Sequence, residues 1–142
     1  MSQPYAFWDT SALVSLCTVQ LHTAEALGML DKYRLVIWWA TPVEITSALT
    51  RLLRSGDIDA TVYAQAQRQS EGYANLWSVV APSAQIALDA RILLERYPLR
   101  AADALQLAAA LAWCGEKPKG KAFLTFDKKL REVASQAGFT LE

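Results

Sequence analysis

Four carboxylates, Asp9, Glu44, Asp103 and Asp127, stand where side chains from separate segments of this 142-residue sequence can meet. Asp9 directly follows the apolar run Tyr5-Ala6-Phe7-Trp8, and Asp127 lies two residues past Leu124-Thr125. Glu44 and Asp103 fall in the first turns of expected helices. Other reactive residues are scarce. His22 is the only histidine, and Cys17 and Cys114 are the only cysteines, without the spacing of a zinc site or a disulfide framework. The two thiols read as buried side chains in a reducing compartment. A single imidazole removes most Ser-His-Asp, Cys-His and His-rich metal mechanisms, because each needs histidine in a defined role. Any chemistry has to run on carboxylates.

Four ionised carboxylates in one pocket repel one another and raise their own pKa values. Two divalent cations offset a charge of about four. A ligand set made only of oxygen favours hard ions such as Mg²⁺ or Mn²⁺. The reaction that suits such a site is in-line hydrolysis of a phosphodiester, in which the ions activate water and stabilise the attacking and leaving oxygens. No protein nucleophile is required.

Each acid also has a structural reading. Glu44 fits a capping box with Thr41, Asp127 fits a cap of the last helix, and Asp9 fits an Asx-turn at a strand end. Asp103 is harder to explain this way. Between Ala101 and Trp113 the only polar side chains are Asp103 and Gln106, so the helix reads as buried nearly all round. A helix-dipole role returns only about 0.3–1 kcal/mol, less than burying an unpaired carboxylate costs. Asp103 needs a partner, either Arg100 three residues earlier or a metal ion.

The elements that position these acids follow from local pattern. Tyr5–Trp8 reads as a buried strand, with capping-type Thr10 and Ser11 leading into a helix over Ala12 to Cys17. A helix over Thr23–Lys32 and a strand over Arg34–Trp39 follow. Thr41 suits the N-cap of the next helix, with Pro42 at its first position and an end near Gly56. A more polar helix runs from Asp57 to about Asn75, then a strand over Leu76–Val80, and Pro82-Ser83 opens a helix over Ala84–Arg96. Pro98 breaks that helix and Ala101–Trp113 forms another. A loop over Gly115–Gly120, a strand over Ala122–Thr125, a helix over Asp127–Ala137 and a short strand over Gly138–Leu141 complete the chain. Strands alternate with helices, which favours a parallel sheet covered on both faces. Ligand sites in such sheets gather at the carboxyl ends of the strands. If the helices bearing Glu44 and Asp103 follow strands, all four acids open on that edge.

Hydrophobic residues make up 53% and charged residues 20%, which excludes a disordered chain. No repeat, low-complexity tract or linker interrupts the sequence, so one domain is expected over residues 1–142. The formal net charge is zero, so any attraction to phosphate has to come from local patches. The densest basic region is Lys117, Lys119, Lys121, Lys128, Lys129 and Arg131, which reads either as a grip on a phosphate backbone or as a solvated face. Core packing accounts better than base stacking for most of the five tryptophans. Met1-Ser2-Gln3-Pro4 lacks the features of a secretion signal, and the longest apolar run, Leu107 to Cys114, is too short to span a bilayer. A cytoplasmic protein without membrane association is expected.

The blocks Trp8-Asp9-Thr10-Ser11-Ala12-Leu13, Pro42-Val43-Glu44-Ile45, Leu99-Arg100-Ala101-Ala102-Asp103-Ala104-Leu105-Gln106-Leu107-Ala108 and Leu124-Thr125-Phe126-Asp127 resemble PIN-domain nucleases. They look most like the toxin subunits of VapBC-type toxin–antitoxin pairs, and they occur in family order over nearly the whole chain. The resemblance implies a PIN-like three-layer α/β/α fold with a central, mostly parallel sheet. It implies endoribonuclease activity on RNA that depends on Mg²⁺ or Mn²⁺, one or two ions, together with homodimerisation and inhibition by a cognate antitoxin. By matching position, Asp9, Glu44, Asp103 and Asp127 would be the catalytic and metal-binding acids. Thr10, Ser11 and Thr125 would be hydroxyls beside them, orienting carboxylates or water. Arg100, Lys128 and Lys129 are candidates for substrate binding. Many relatives carry a further acid shortly after the last motif Asp; here Lys128, Lys129 and Leu130 stand there, leaving a second ion one carboxylate fewer. By the same analogy, Leu27, Leu30, Val62 and Tyr73 would offer a groove for an antitoxin segment.

The alternative is a catalytically inactive PIN-like module that binds RNA or a protein partner. An Asp-nucleophile phosphatase would want a second acid two residues after the first, where Ser11 stands. A receiver domain would want paired acids near its first strand, and that pattern is missing.

Overall fold

Phe7 points to one side of the first strand and Ala6 and Trp8 to the other, and this period-two alternation divides the core of the protein in two. The computed structural model describes residues 3–142. Met1 and Ser2, which belong to the stretch read above as lacking a secretion signal, lie outside the described residues. The elements in chain order are β1 (Tyr5–Trp8), α1 (Thr10–Cys17), α2 (Thr23–Lys32), β2 (Arg34–Trp38), α3 (Thr41–Ser55), α4 (Ala60–Ala74), β3 (Ser78–Val80), α5 (Ala84–Arg96), α6 (Ala101–Trp113), β4 (Ala122–Leu124) and α7 (Lys128–Ala137).

The four strands form one parallel sheet in the order β3-β2-β1-β4, with Phe7 opposite both Val36 and Phe123, and Ile37 opposite Val79. On one face Phe7, Val36, Trp38 and Phe123 pack with Leu93 of α5, Leu107 of α6 and Leu130 and Val133 of α7. On the other, Trp8, Leu35, Ile37 and Leu124 pack with Leu13, Ala26, Ile45, Leu49 and Ala66 from α1 to α4. The architecture is the expected α/β/α sandwich. The chain winds outward from β1 to β3 and then returns past β1 to β4. Strand order therefore reverses between β1 and β4, the place where parallel sheets leave a crevice beyond their carboxyl ends.

Local chemistry explains most element ends. Ser83 caps α5 by accepting from the Ile86 N–H, and Gly56 closes α3 with φ 82°. Several boundaries differ from the sequence expectation, among them α1, which begins at Thr10 and not Ala12, and β2 and β4, which each end one residue early. The helix expected from Asp57 begins at Ala60, because Asp59 is the residue that caps it and the Asp57 and Ile58 N–H groups return to Leu52. The strand expected from Leu76 begins at Ser78, because the N–H groups of Leu76 and Trp77 are bound by Tyr73 at the end of α4. The last expected strand reduces to a single bridge between Thr140 and Ala122: Gly138 at φ 111° turns the chain out of α7 and Phe139 drops into the core. Trp8 and Trp38 are core residues as expected, but Trp39 falls just beyond β2 and is 58% exposed. Among the described residues no helix is long and apolar enough to cross a membrane.

Candidate active site

Asp9 continues the pairing of β1, its N–H donating to the Leu124 carbonyl, and then starts α1 as its N-cap. Its Oδ1 accepts from the Ala12 N–H at 3.0 Å and the Ser11 hydroxyl at 2.7 Å, and its Oδ2 accepts from the Thr125 hydroxyl at 2.5 Å. Asp9 as a whole is 4% exposed. Burial pushes its pKa up to about 6 despite the three hydrogen bonds, and the Asp127 charge pushes the same way.

Glu44 does not make the expected capping box. Ala40 occupies the N-cap of α3 without a side-chain bond, and Thr41 lies inside the helix with its hydroxyl buried. That hydroxyl is bound instead by Gln106 of α6, whose Nε2 donates to it at 2.9 Å. Glu44 turns toward the sheet edge, where its Oε1 accepts from the Thr10 hydroxyl at 2.9 Å and its two oxygens lie 3.3 and 3.4 Å from Gln106 Nε2. Desolvation raises its pKa, and the Asp103 charge adds to the effect.

Asp103 reaches the same edge without a strand before its helix, in the element order the sequence indicated. Its helix follows α5 rather than a strand, through Tyr97–Arg100. The carboxylate is half-buried, and among the described residues it forms no ion pair within 4.0 Å, with Arg100 or any other cation. The expected Arg100 partner acts only at longer range. Burial and Asp127 raise the Asp103 pKa, while Arg100 lowers it. Asp127 is exposed and caps α7, its Oδ1 accepting from the Leu130 N–H at 2.8 Å and its own N–H donating to the Thr125 hydroxyl at 3.0 Å.

These four acids line one pocket of about 980 Å³, together with Thr10, Ser11, Arg100, Gln106 and Lys129. Thr125 is buried against Asp9. Lys128 is exposed and stands outside the lining. The supports of Glu44 escaped the sequence reading: Gln106 and, bound to it, Thr41. The signal for Gln106 was an amide in an otherwise apolar helix, one turn after Asp103; Thr41 was read only as a cap. A second cavity, about 840 Å³, lies at the end of α1 and the α3–α4 turn, and none of the four acids reaches it. Of the residues expected to form an antitoxin groove, Val62 lines that cavity. Leu30 and Tyr73 pack against the core and Leu27 is exposed.

A family model described as the PIN domain matches residues 6–136. The chain belongs to the PIN-domain family. It is similar to the ribonucleases VapC45 and VapC49 of Mycobacterium tuberculosis, each 31% identical over 140 residues that span 95% of this chain and 92% of theirs. A toxin–antitoxin complex from Klebsiella pneumoniae shares the fold with a TM-score of 0.67 at 21% identity, over 95% of this chain and 96% of that one.

In this PIN domain the donors offered to a cation are all oxygen, and Asp9, Glu44 and Asp103 are held above the ordinary carboxylate range by burial and by a neighbouring carboxylate, Asp127 for Asp9 and Asp103, and Asp103 for Glu44. A hard divalent ion relieves both effects, so the residues fit Mg²⁺ or Mn²⁺ in chemistry. The carboxylates line the pocket without closing on one point: among the described residues no three His, Cys, Asp or Glu side chains form a ready metal cluster.

Proposed function

We propose that this PIN domain is a divalent-metal-dependent endoribonuclease, the toxin of a toxin–antitoxin pair, that hydrolyses RNA phosphodiester bonds in the pocket of Asp9, Glu44, Asp103 and Asp127. The observation that carries the reading is the convergence of four carboxylates from four segments on one pocket, with no cationic side chain within 4.0 Å of any of them among the described residues. Such an arrangement costs stability unless a cation joins it. The ribonuclease names of relatives 31% identical support RNA as the substrate, and the toxin–antitoxin complex with the same fold supports an antitoxin partner. A single domain over residues 1–142, a homodimer and action in the cytoplasm belong to the same proposal.

One or two Mg²⁺ or Mn²⁺ ions, when bound, supply Lewis-acid activation of water and charge stabilisation for in-line displacement at phosphorus. The chain supplies the geometry. Ser11, the Ala12 N–H and Thr125 hold both oxygens of Asp9 in fixed directions, and Thr10 with Gln106 holds Glu44. Asp103 and Asp127 complete the ligand set from α6 and the start of α7. Arg100 and Lys129, on the pocket wall, neutralise the phosphate oxygens that do not react.

The test is cleavage of a panel of structured and single-stranded RNAs by the purified protein with Mg²⁺, with Mn²⁺ and with EDTA. Cleavage with either ion that EDTA abolishes is the expected result. Cleavage that persists in EDTA, or none by a folded protein on any RNA of the panel, overturns the reading.

A further inference from the structure

Beside the acids, the same pocket carries an aromatic pair with no part in the chemistry above. The His22 imidazole lies flat on the Phe126 ring, with centroids 4.5 Å apart and planes inclined by 11°. Both residues line the pocket that holds Asp9 and Asp127. Phe126 is tied to the catalytic edge from both sides. It sits between Thr125 and Asp127 in the chain, and its N–H donates at 2.9 Å to the Ser11 hydroxyl, which itself binds Asp9. Its ring rests against the core on the α1–α4 side of the sheet. The Phe126 ring is therefore held at a fixed offset from the carboxylates.

His22 is held differently. It opens α2 but makes no capping bond, and its Nδ1 lies 3.2 Å from Glu25 Oε1. Its side chain remains 38% exposed, and the preceding Leu21 is 90% exposed. One face of the imidazole is covered by Phe126, so the exposed part belongs to the other face and the edge. An aromatic platform on a rigid base, open on one side and next to a phosphate-cleaving centre, is what stacks a nucleobase. Arg51 on the same wall adds a cation for an adjoining phosphate.

We propose that His22, backed by Phe126, stacks the base of a nucleotide next to the scissile phosphate. This rests on the ribonuclease reading and deepens it. A base inside a duplex has both faces covered by its neighbours and cannot reach the platform, whereas a single-stranded base can. Stacking tolerates any base but rewards the larger purine surface.

The probe is RNA carrying one 2-aminopurine, as a single strand and within a duplex, titrated with Mg²⁺ present onto Asp103→Asn, which leaves the strand intact. The expected result is quenching of the 2-aminopurine fluorescence on binding for the single strand alone. Adding His22→Ala should remove the quenching and weaken binding about tenfold, while His22→Phe keeps both. In the protein with its acids intact, His22→Ala should raise KM and leave kcat nearly unchanged. Equal quenching and affinity with and without the imidazole overturns the stacking site while the ribonuclease reading stands. RNA that is neither bound by Asp103→Asn nor cut by the parent protein overturns both, a result distinct from the first.

Discussion

Gln106 joins three segments through one amide. Its Nε2 lies 2.9 Å from the Thr41 hydroxyl, 3.1 Å from the Thr10 hydroxyl and 3.3 Å from Glu44 Oε1. Its own Oε1 is buried without a partner among the described residues. Two hydrogens shared among several oxygens position Glu44 more than they stabilise the fold. Gln106→Leu removes the orphaned oxygen, leaves the buried Thr41 hydroxyl without its donor and keeps the side-chain bulk; the first two effects offset, so the melting temperature should move by only a few degrees. Cleavage should fall by roughly 10–100-fold and need more Mg²⁺, as happens when groups behind metal ligands are lost. Steady-state kinetics across a Mg²⁺ titration checks this; unchanged kinetics contradicts it. Asp9 gives a second prediction at this scale. Its folded pKa, about 6, lies above the ordinary 3.8, so the native state holds more protons across that window. The contribution favours folding below pH 3.8 and is lost as pH rises through 6, on the order of 3 kcal/mol in all. The metal-free protein should therefore melt higher at pH 5 than at pH 7, and Asp9→Asn should shrink that difference, with Glu44 and Asp103, raised in the same direction, carrying the remainder. A pH response the substitution leaves intact contradicts the assignment. Asp9 was legible as an acid at a strand end. The work of Gln106 was not, because its hydroxyl partners lie 65 and 96 residues away in the chain.

At the scale of elements, two of the acids are also helix caps. Asp9 starts α1 and Asp127 starts α7, so a helix N-terminus and a pocket wall share one residue. Substitution separates the two roles. Asp127→Asn keeps an oxygen for the Leu130 N–H and should leave stability nearly unchanged, whereas Asp127→Ala should cost about 0.5–2 kcal/mol. Both should lose metal-dependent cleavage. Thermal melts beside activity assays read the two effects separately, and a fully active Asp127→Asn contradicts the role in the site. Elements with their own punctuation were legible: Ser83, Pro98 and Gly56 marked boundaries that the structure keeps. Those decided by distant partners were not. The Thr41–Glu44 pattern is a valid capping box in isolation, but a hydrogen bond from Gln106 to Thr41 and another from Thr10 to Glu44 draw both side chains elsewhere. The strand expected over Gly138–Leu141 shrank to one bridge because Phe139 had a place in the core.

For the whole molecule, alternation of apolar strands and helices was enough to indicate a parallel sheet covered on both faces. The order β3-β2-β1-β4 was not readable from periodicity, since it depends on which face each crossover covers. That order puts β1 beside β4 and so brings Asp9 to Thr125 and Asp127, 116 and 118 positions further along the chain. α6 then leans across the same edge and adds Asp103. The central claim is that this convergence is a cation site for RNA hydrolysis. Asp103→Asn tests it most directly: Asp103 caps no helix through its side chain and has no ion-pair partner among the described residues, so the change removes a negative charge and little else. Cleavage in saturating Mg²⁺ should fall at least about 100-fold with the melting temperature of the metal-free protein held or raised. Cleavage equal to that of the parent, in a variant that melts at the same temperature, would contradict the account.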